Sequence, residues 1–356
     1  MRALRLRSIS SISVETMDDP TPLPGEVLLR VDACGLCGTD RHIVRGEYPA
    51  ILPLTPGHEF AGTVVDVAPT PSSHLLHATA LLSAGGRGRT LRVGDRVAVD
   101  PNIACGVCAV CWRGDPCLCP RRVALGVDLD GGFAEYVRVP IEQAYLLPDH
   151  VPASWGALCE PLACCLHGLD LAPIRVADSV VILGGGVIGQ LMVLLAHDAG
   201  VRHVVLSTRQ EGRRRLAETL GATATIDPRA VDPVAAVSAV GGMVPGGADV
   251  VIECAGTIET FEQATMLARR GGTVLVFGVA PQGQTARISP FEIFARELRI
   301  VGSYLNPRTH DRAVALVASG RLNLDALITH RLTLDEVPAL LTHDPAVDEV
   351  KALYCR

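Results

Sequence analysis

Four closely spaced cysteines have the clearest chemistry in this sequence. They follow the pattern C-x2-C-x2-C-x7-C and are Cys105, Cys108, Cys111 and Cys119. Thiolates at this spacing are typical of a closed, all-sulfur zinc site, in which the metal stabilises a loop and does not meet substrate. We therefore predict a structural zinc here. Two alternatives remain open: an iron–sulfur centre, and a ligand set in which Cys117 replaces one of the four.

A glycine-rich turn predicts a nucleotide-binding site. Gly184, Gly186 and Gly189 have G-x-G-x-x-G spacing, and they follow an apolar strand and open an apolar helix. In that context the first glycine permits a tight turn, the second lets the backbone approach a pyrophosphate, and the third allows the helix to pack closely on the strand. Val187 and Ile188 begin the helix, whose free amide groups can bind phosphate. A purely structural glycine turn is the alternative.

The end of the next predicted strand distinguishes between the two nicotinamide cofactors. An acidic residue there would bind the adenosine ribose 2′-hydroxyl of NAD and repel the 2′-phosphate of NADP. This chain instead has Ser207, Thr208 and Arg209, with Arg213 four residues further on. The hydroxyls can donate hydrogen bonds, and a guanidinium can form a charged fork with phosphate oxygens. We predict that NADP(H) is preferred over NAD(H). The alternative is an exposed Arg209 in a site that tolerates both.

The elements that must position these residues change in character near residue 153. Before it, short alternating stretches such as 26–31 and 59–67 are interrupted by Pro and Gly, which indicates a β-rich domain. After it, five strand-like stretches alternate with helix-length segments, which indicates a parallel sheet with crossover helices. These stretches are residues 179–183, 203–207, 249–253, 273–278 and 299–301. One or two more helices and a short final strand are expected beyond residue 302, and residues 69–91 are predicted to form a long surface loop.

Composition and charge narrow the class of protein. The 356 residues, of which 48% are hydrophobic and 20% charged, suffice for two globular domains. A net charge of −6 argues against nucleic acid as the main partner. No apolar run is long enough to cross a membrane, and the N-terminus lacks the features of a signal peptide. The twelve cysteines are therefore expected to be reduced, as in a cytoplasmic enzyme.

Several further motifs together make a family resemblance specific. CGLCGTDRH, PGHEFAG, VGDRVAVDP, the four-cysteine lobe, GGFAEY, EPLACCLHG and the glycine turn follow one another across nearly the whole chain. In these motifs and their order the chain resembles the zinc-dependent medium-chain dehydrogenases of the alcohol, polyol and threonine dehydrogenase kind. The resemblance implies an α/β protein with a GroES-like β-rich catalytic domain, residues 1–162 and 303–356, carrying the zinc lobe at about 100–120. It assigns residues 163–302 to a Rossmann domain, a doubly wound parallel sheet that binds the cofactor.

The resemblance also implies a second, catalytic zinc. Cys37 and His58 correspond to two of its ligands, and Glu160 corresponds to the third. That third position is commonly cysteine in simple alcohol dehydrogenases and acidic in the polyol, glucose and bacterial secondary-alcohol branches. Glu59 is either a direct ligand or lies behind the metal, and Asp40 resembles the carboxylate that orients the ligand histidine. Three protein ligands leave an open position, as catalytic zinc requires.

Three neighbouring residues have simpler interpretations. Cys34 is expected to be a buried apolar thiol, and His167 is expected to pack in the core of a helix. Cys159 precedes Glu160, and its thiolate is an alternative zinc ligand. None of the three is assigned a role in catalysis.

The implied reaction is the zinc-dependent oxidation of an alcohol, with hydride transfer to the cofactor. By resemblance, the Thr39 hydroxyl takes up the substrate proton, the nicotinamide ribose passes it on, and His42 delivers it to water. We expect two zinc ions per chain, a polyol or sugar-alcohol substrate, and a homodimer or homotetramer. A secondary-alcohol or threonine dehydrogenase using NAD(H) is the alternative within this chemistry. A zinc-free quinone reductase and a non-enzymatic relative of the same fold are the alternatives from other classes.

Overall fold

The computed structural model of the chain describes residues 1–68, 90–238 and 242–356. The loop predicted at residues 69–91 therefore lies outside the described residues, except for its last two positions. Over the described ranges, no helix is both long enough and apolar enough to span a lipid bilayer.

The described residues divide into two compact units. The first contains residues 1–163, 306–320 and 328–356, and the second contains residues 164–305 and 321–327. These limits differ from the predicted domain limits chiefly at residues 321–327, which pack with the second unit.

The strands and helices are numbered here in chain order. The strands are β1 (Arg2–Ser8), β2 (Ser11–Thr16), β3 (Glu26–Gly35), β4 (Glu59–Val67), β5 (Arg96–Val99), β6 (Asn102–Ile103), β7 (Val123–Ala124), β8 (Tyr136–Pro140), β9 (Ala144–Leu146), β10 (Ser179–Leu183), β11 (His203–Ser207), β12 (Ala224–Ile226), β13 (Ala248–Glu253), β14 (Ala268–Val276), β15 (Arg299–Gly302), β16 (Ile328–Leu332) and β17 (Lys351–Cys355). The α-helices are α1 (Gly38–Val44), α2 (Ala109–Arg113), α3 (Ala153–Gly156), α4 (Cys159–Leu171), α5 (Val187–Asp198), α6 (Glu211–Thr219), α7 (Pro233–Ser238), α8 (Ile258–Leu267), α9 (Pro290–Arg296), α10 (His310–Ala318) and α11 (Val337–Thr342).

The first unit is built around a sheet in which β3 is central. The order of the described strands is β16-β17-β3-β4-β5-β9, and β8 pairs with the first half of β3. Alternate residues of β3, from Val27 to Ala33, are fully buried, because successive side chains of a strand point to opposite faces. This order places Gly35, the last residue of β3, between Leu353 of β17 and Glu59 of β4.

The second unit is built on a parallel sheet of the order β12-β11-β10-β13-β14-β15. This is the doubly wound order of the Rossmann fold, and it confirms the predicted fold class. All five residues of the central strand β10 are buried, as a strand covered on both faces requires. Strands β10 and β11 have the predicted limits, whereas β14 begins at Ala268, five residues before the stretch predicted at 273–278.

The prediction for the C-terminal segment missed one strand. Besides the final strand β17, the structure contains β16, which pairs with β17 in parallel at the edge of the first unit's sheet. Thr329 and Arg331 of β16 are exposed while their neighbours are at least half-buried. An edge strand with one polar face and few apolar residues gives only a weak hydrophobic signal in the sequence.

Candidate metal and cofactor sites

The four-cysteine group has the geometry of a single tetrahedral metal site. The Sγ atoms of Cys108 and Cys111 lie 3.5 Å apart, those of Cys105 and Cys119 3.5 Å, those of Cys108 and Cys119 3.8 Å, and those of Cys105 and Cys111 4.0 Å. Zinc–sulfur bonds of about 2.3 Å in a tetrahedron place the sulfurs roughly 3.8 Å apart. The sulfurs of a disulfide would lie about 2.05 Å apart, and none of the chain's twelve cysteines is in a disulfide. The residues therefore fit one enclosed zinc ion.

The four-cysteine lobe is assembled by short-range backbone structure. Cys108 caps the N-terminus of α2, and Gly114, with φ 100°, ends that helix in the left-handed region. The backbone amide of Val107 lowers the pKa of Cys105 to about 6, although burial opposes the shift. Cys117 lies outside the group of four, and burial raises its pKa. The structure thus brings together the four predicted cysteines without Cys117.

A second group consists of Cys37, His58 and Glu59. One ligand atom from each residue lies within 4.8 Å of the other two. Cys37 caps the N-terminus of α1, Glu59 begins β4 and His58 directly precedes it, and both residues 58 and 59 are buried. A thiol, an imidazole and a carboxylate enclosed together form a donor set that suits zinc. Glu160, in the first turn of α4, is also buried but is not a member of this described group.

The Asp40 carboxylate fixes the backbone at Cys37 and next to His58. It is fully buried, and its carboxylate accepts hydrogen bonds from the backbone N–H of Cys37 (2.9 Å) and of Gly57 (3.2 Å). Its Oδ1 atom lies 3.3 Å from Nδ1 of His58, without the alignment of a hydrogen bond. Burial lowers the pKa of His58, but Asp40 and Cys37 outweigh it and hold the pKa well above its usual range. This concentration of negative charge around His58 suits a cation.

Thr39 and His42 lie three residues apart on α1 and therefore share one side of the helix. The Sγ atom of Cys37 lies 3.8 Å from Oγ1 of Thr39, so that hydroxyl is beside the metal-ligand group. The His42 ring is exposed, and its Nδ1 lies 2.6 Å from a carboxylate oxygen of Glu47. Glu47 was not identified from the sequence, because its contact with His42 depends on the turn that follows α1.

The remaining candidates in this region behave as ordinary core groups. Cys34 and Cys159 are fully buried, and burial raises the pKa of each thiol. His167 is half-buried on α4, and burial lowers its pKa.

The glycine turn has the shape of a phosphate-binding cradle. Gly184 has φ 109°, and a Cβ there would lie 2.8 Å from the backbone nitrogen of Ala255. A Cβ on Gly189 would overlap the carbonyl oxygen of Gly184, so this glycine is needed for α5 to approach β10. A Cβ on Gly186 would meet nothing within 4 Å, and Gly186 caps α5, which leaves open space at the helix N-terminus. The turn therefore fits a dinucleotide pyrophosphate.

The residues predicted to select the cofactor lie at the end of β11. Ser207 and Thr208 are buried, whereas the Arg209 side chain is exposed. Val187 and Ile188 open α5, and Arg213 is half-buried on α6. The carbonyl of Arg213 accepts a hydrogen bond of 2.8 Å from Gln190 of α5, a buried residue that was not identified from the sequence.

Asp227, just after β12, is a carboxylate near this strand end that the sequence did not reveal. It pairs with Arg229 (2.7 Å) and Arg214 (3.2 Å), and the hydrogen bond from Arg229 is the main reason that its pKa is lowered. Both arginines also donate to the carbonyl of Arg209, at 2.9 Å from Arg214 and 2.7 Å from Arg229. The charge of Asp227 is therefore balanced by two arginines while Arg209 remains exposed.

Two protein-family profiles match the sequence. The alcohol dehydrogenase GroES-like domain matches residues 23–149, and the zinc-binding dehydrogenase domain matches residues 187–319. Together the two matches span more than half of the chain.

Individual proteins match along almost the entire length. D-arabinitol dehydrogenase 1 of Uromyces fabae is 33% identical over 337 residues, covering 94% of this chain and 91% of the relative. L-threonine 3-dehydrogenase of Thermococcus kodakarensis is 34% identical over 321 residues, covering 88% and 86%. The crystal structure of a predicted zinc-binding dehydrogenase from Sinorhizobium meliloti 1021, bound to NADP, superposes with a TM-score of 0.93 at 49% identity. It covers 100% of this chain and 99% of that chain.

Proposed function

The chain belongs to the zinc-dependent medium-chain dehydrogenase family and is an oxidoreductase of alcohols, and from this premise we propose that it oxidises a polyol or sugar alcohol to the ketose with NADP⁺. The observation that carries the proposal is the group of Cys37, His58 and Glu59, in which His58 and Glu59 are buried and Asp40 accepts hydrogen bonds from the backbone of Cys37 and Gly57. A zinc-free reductase would not need a thiol and an imidazole placed together beside buried carboxylates.

We assign the catalytic zinc to Cys37, His58 and Glu160, with Glu59 behind the metal, and a second zinc to the four-cysteine lobe. Zinc held at the first site would lower the pKa of a substrate hydroxyl, and NADP⁺ held at the glycine turn would supply the hydride acceptor. Asp40 fixes the position of the two ligand-bearing segments through its hydrogen bonds to the backbone. The Thr39 hydroxyl would take up the proton of the substrate hydroxyl while giving up its own, and the exposed imidazole of His42 would pass a proton to water.

Metal analysis and a substrate panel test the proposal directly. Two zinc ions per chain and NADPH formation with polyols are the expected results. A single zinc ion, or none, would overturn the catalytic site, and zinc-loaded protein that is inactive on every alcohol would overturn the activity.

The choice of NADP rests on Arg209, which is exposed where NAD-binding proteins of this fold carry an acid. A charged hydrogen bond to the 2′-phosphate contributes about 1.5–3 kcal/mol, so Arg209→Ala should lower kcat/KM for NADP⁺ by about 10–100-fold and leave NAD⁺ almost unaffected. Arg215→Ala is the control, because Arg215 is an exposed residue of α6 paired with Glu211. A native enzyme that prefers NAD⁺ would contradict the assignment.

Threonine oxidation is the second candidate activity. It is favoured by the 34% identity to L-threonine 3-dehydrogenase of Thermococcus kodakarensis over 88% of this chain. Comparison of kcat/KM for D-arabinitol, sorbitol and L-threonine separates the two candidates. A ratio of more than about tenfold in favour of threonine would replace the polyol assignment.

We further propose that the first unit is the catalytic domain and the second the cofactor domain. Twelve cysteines, none of them in a disulfide, support a reducing, cytoplasmic location. Exposed apolar side chains on the second unit, Val279, Phe291 and Phe294, support a homodimer or homotetramer. Light scattering of the purified chain tests the assembly, and a monomer would refute it.

A further inference from the structure

A buried lysine close to the catalytic group was not part of the sequence predictions. Lys351, the first residue of β17, is 1% exposed. Its ammonium pairs with Oε2 of Glu59 and donates a hydrogen bond of 2.9 Å to the carbonyl of Leu36. A lysine is almost never fully buried unless it is paired, so the pair with Glu59 is the main reason that this side chain can lie here.

The neighbouring backbone is shaped to allow this pair. Gly35 lies between β17 and β4, opposite Leu353 on one side and Glu59 on the other. A Cβ on Gly35 would overlap Oε2 of Glu59 and would lie 2.7 Å from Cε and 3.0 Å from Nζ of Lys351. The lysine therefore crosses the central strand through the space that this glycine leaves free. Any other residue at position 35 would force the pair apart.

The pair bears directly on which residues bind the metal. Glu59 lies in the same group as Cys37 and His58, so its carboxylate is within reach of an ion bound there. We propose that Lys351 is a positioning residue that holds Glu59 away from the zinc, so that the fourth coordination place remains open to the alcohol. This inference rests on the proposed function, because it requires a zinc ion at Cys37 and His58.

The physical argument is a competition between two cations for one carboxylate. In the native chain the charge of Glu59 is balanced by the ammonium of Lys351, and zinc gains little by attracting it. Without the ammonium, a buried carboxylate would be left unpaired, which is strongly unfavourable. Coordination to zinc is then the nearest way to balance that charge. Loss of Lys351 should therefore strengthen zinc binding and occupy the place that substrate needs.

Lys351→Met tests the proposal, because methionine keeps the length of the side chain and removes its charge. The catalytic zinc should bind at least about tenfold more tightly, measured by equilibrium competition with a chelator, while kcat falls by at least about tenfold. Cobalt in place of the catalytic zinc should show a visible spectrum altered by an additional oxygen ligand. A purely structural role for Lys351 predicts the opposite, weaker zinc binding. Unchanged or weaker binding therefore overturns the proposal.

A second variant keeps the test decisive if Lys351→Met does not fold. The double variant Glu59→Gln with Lys351→Met replaces the pair by neutral groups of similar shape and leaves no buried charge unpaired, so zinc affinity should stay within about threefold of native. A loss of about tenfold or more would show that Glu59 binds zinc directly in the native chain. Binding at least about tenfold tighter than native would show that tightening does not need the carboxylate, and either result overturns the proposal.

A matched control is available in the same C-terminal segment. Arg41 and Glu349 form another buried ion pair, at 2.6 Å, with each side chain 8% exposed. Glu349→Gln should lower stability without strengthening zinc binding. Equal tightening in this control would refute a specific role for Lys351. A native chain with only one zinc ion refutes the proposed function, whereas two zinc ions without tightening in Lys351→Met refute this inference alone.

Discussion

The two candidate metal sites of the first unit are built on opposite principles. The four-cysteine lobe uses four identical ligands from residues 105–119, and neighbouring Sγ atoms lie 3.5–4.0 Å apart. The other site uses different ligand types, and Cys37 and His58 are positioned by α1 and by the start of β4. Four thiolates fill all the coordination positions of a tetrahedral zinc, whereas three protein ligands leave one position for substrate.

This difference shows what each site needs from the rest of the protein. The lobe is closed by local turns, so the sequence pattern alone is nearly sufficient to describe it. The site at Cys37 and His58, called the mixed site because its ligand types differ, depends on more distant residues. The buried carboxylate of Asp40 fixes the backbone of its ligands, and the buried ammonium of Lys351 balances the charge of Glu59. A metal site with all its coordination positions filled by protein can stabilise the fold. A metal site with one position left for substrate needs residues beyond its ligands to hold those ligands in position.

The largest expected effect comes from removing a ligand of the mixed site. Cys37→Ser should lower kcat by about 1,000-fold or more, because several kcal/mol of stabilisation by zinc is lost. The zinc content should fall from two ions to one, and the melting temperature should stay within a few degrees of native. Loss of both zinc ions in this variant would contradict the view that the two sites are independent.

The corresponding change in the lobe should act on stability. Cys111→Ser leaves three thiolates and should release the lobe zinc, which lowers the melting temperature by about 10 °C or more. Freshly prepared protein at low temperature should keep most of its activity. These outcomes are measured by metal analysis, calorimetry and initial rates. An immediate loss of activity with an unchanged melting temperature would reverse the roles given to the two sites.

A smaller effect is expected at the base of the lobe, where Asp100 is 9% exposed. Its carboxylate accepts hydrogen bonds from the backbone N–H of Asn102 (3.0 Å) and the amide of Asn306 (3.3 Å). Burial nevertheless raises the pKa of Asp100 from 3.8 to about 6. The folded chain therefore binds this proton more tightly than the unfolded chain does.

The free energy of unfolding should consequently fall as pH rises from about 4 to about 6, by up to roughly 3 kcal/mol. Asp100→Asn removes this contribution, so the variant should gain stability relative to native between pH 5 and pH 7.5. Urea unfolding at both pH values measures the difference. A constant difference across this range would show that Asp100 does not titrate there.

Much of the local structure could be predicted from the sequence. The limits of β10 and β11 and the three glycines of the turn follow from apolar runs and from the close approach of α5 to β10. The second strand at the C-terminus, β16, was missed because an edge strand with an exposed polar face gives little hydrophobic signal. The early start of β14 was missed because it follows from an irregular register with β13.

The sequence by itself determined the family, the α/β fold class and the composition of the four-cysteine group. Its local spacing also identified the cofactor turn. Only the tertiary structure brought Lys351 to Glu59, 292 residues away, across the space left by Gly35. It also grouped Glu59, rather than Glu160, with Cys37 and His58. The reason is physical: a pattern within fifteen residues is fixed by backbone geometry, whereas a buried charge is placed by whichever strand the sheet brings beside it.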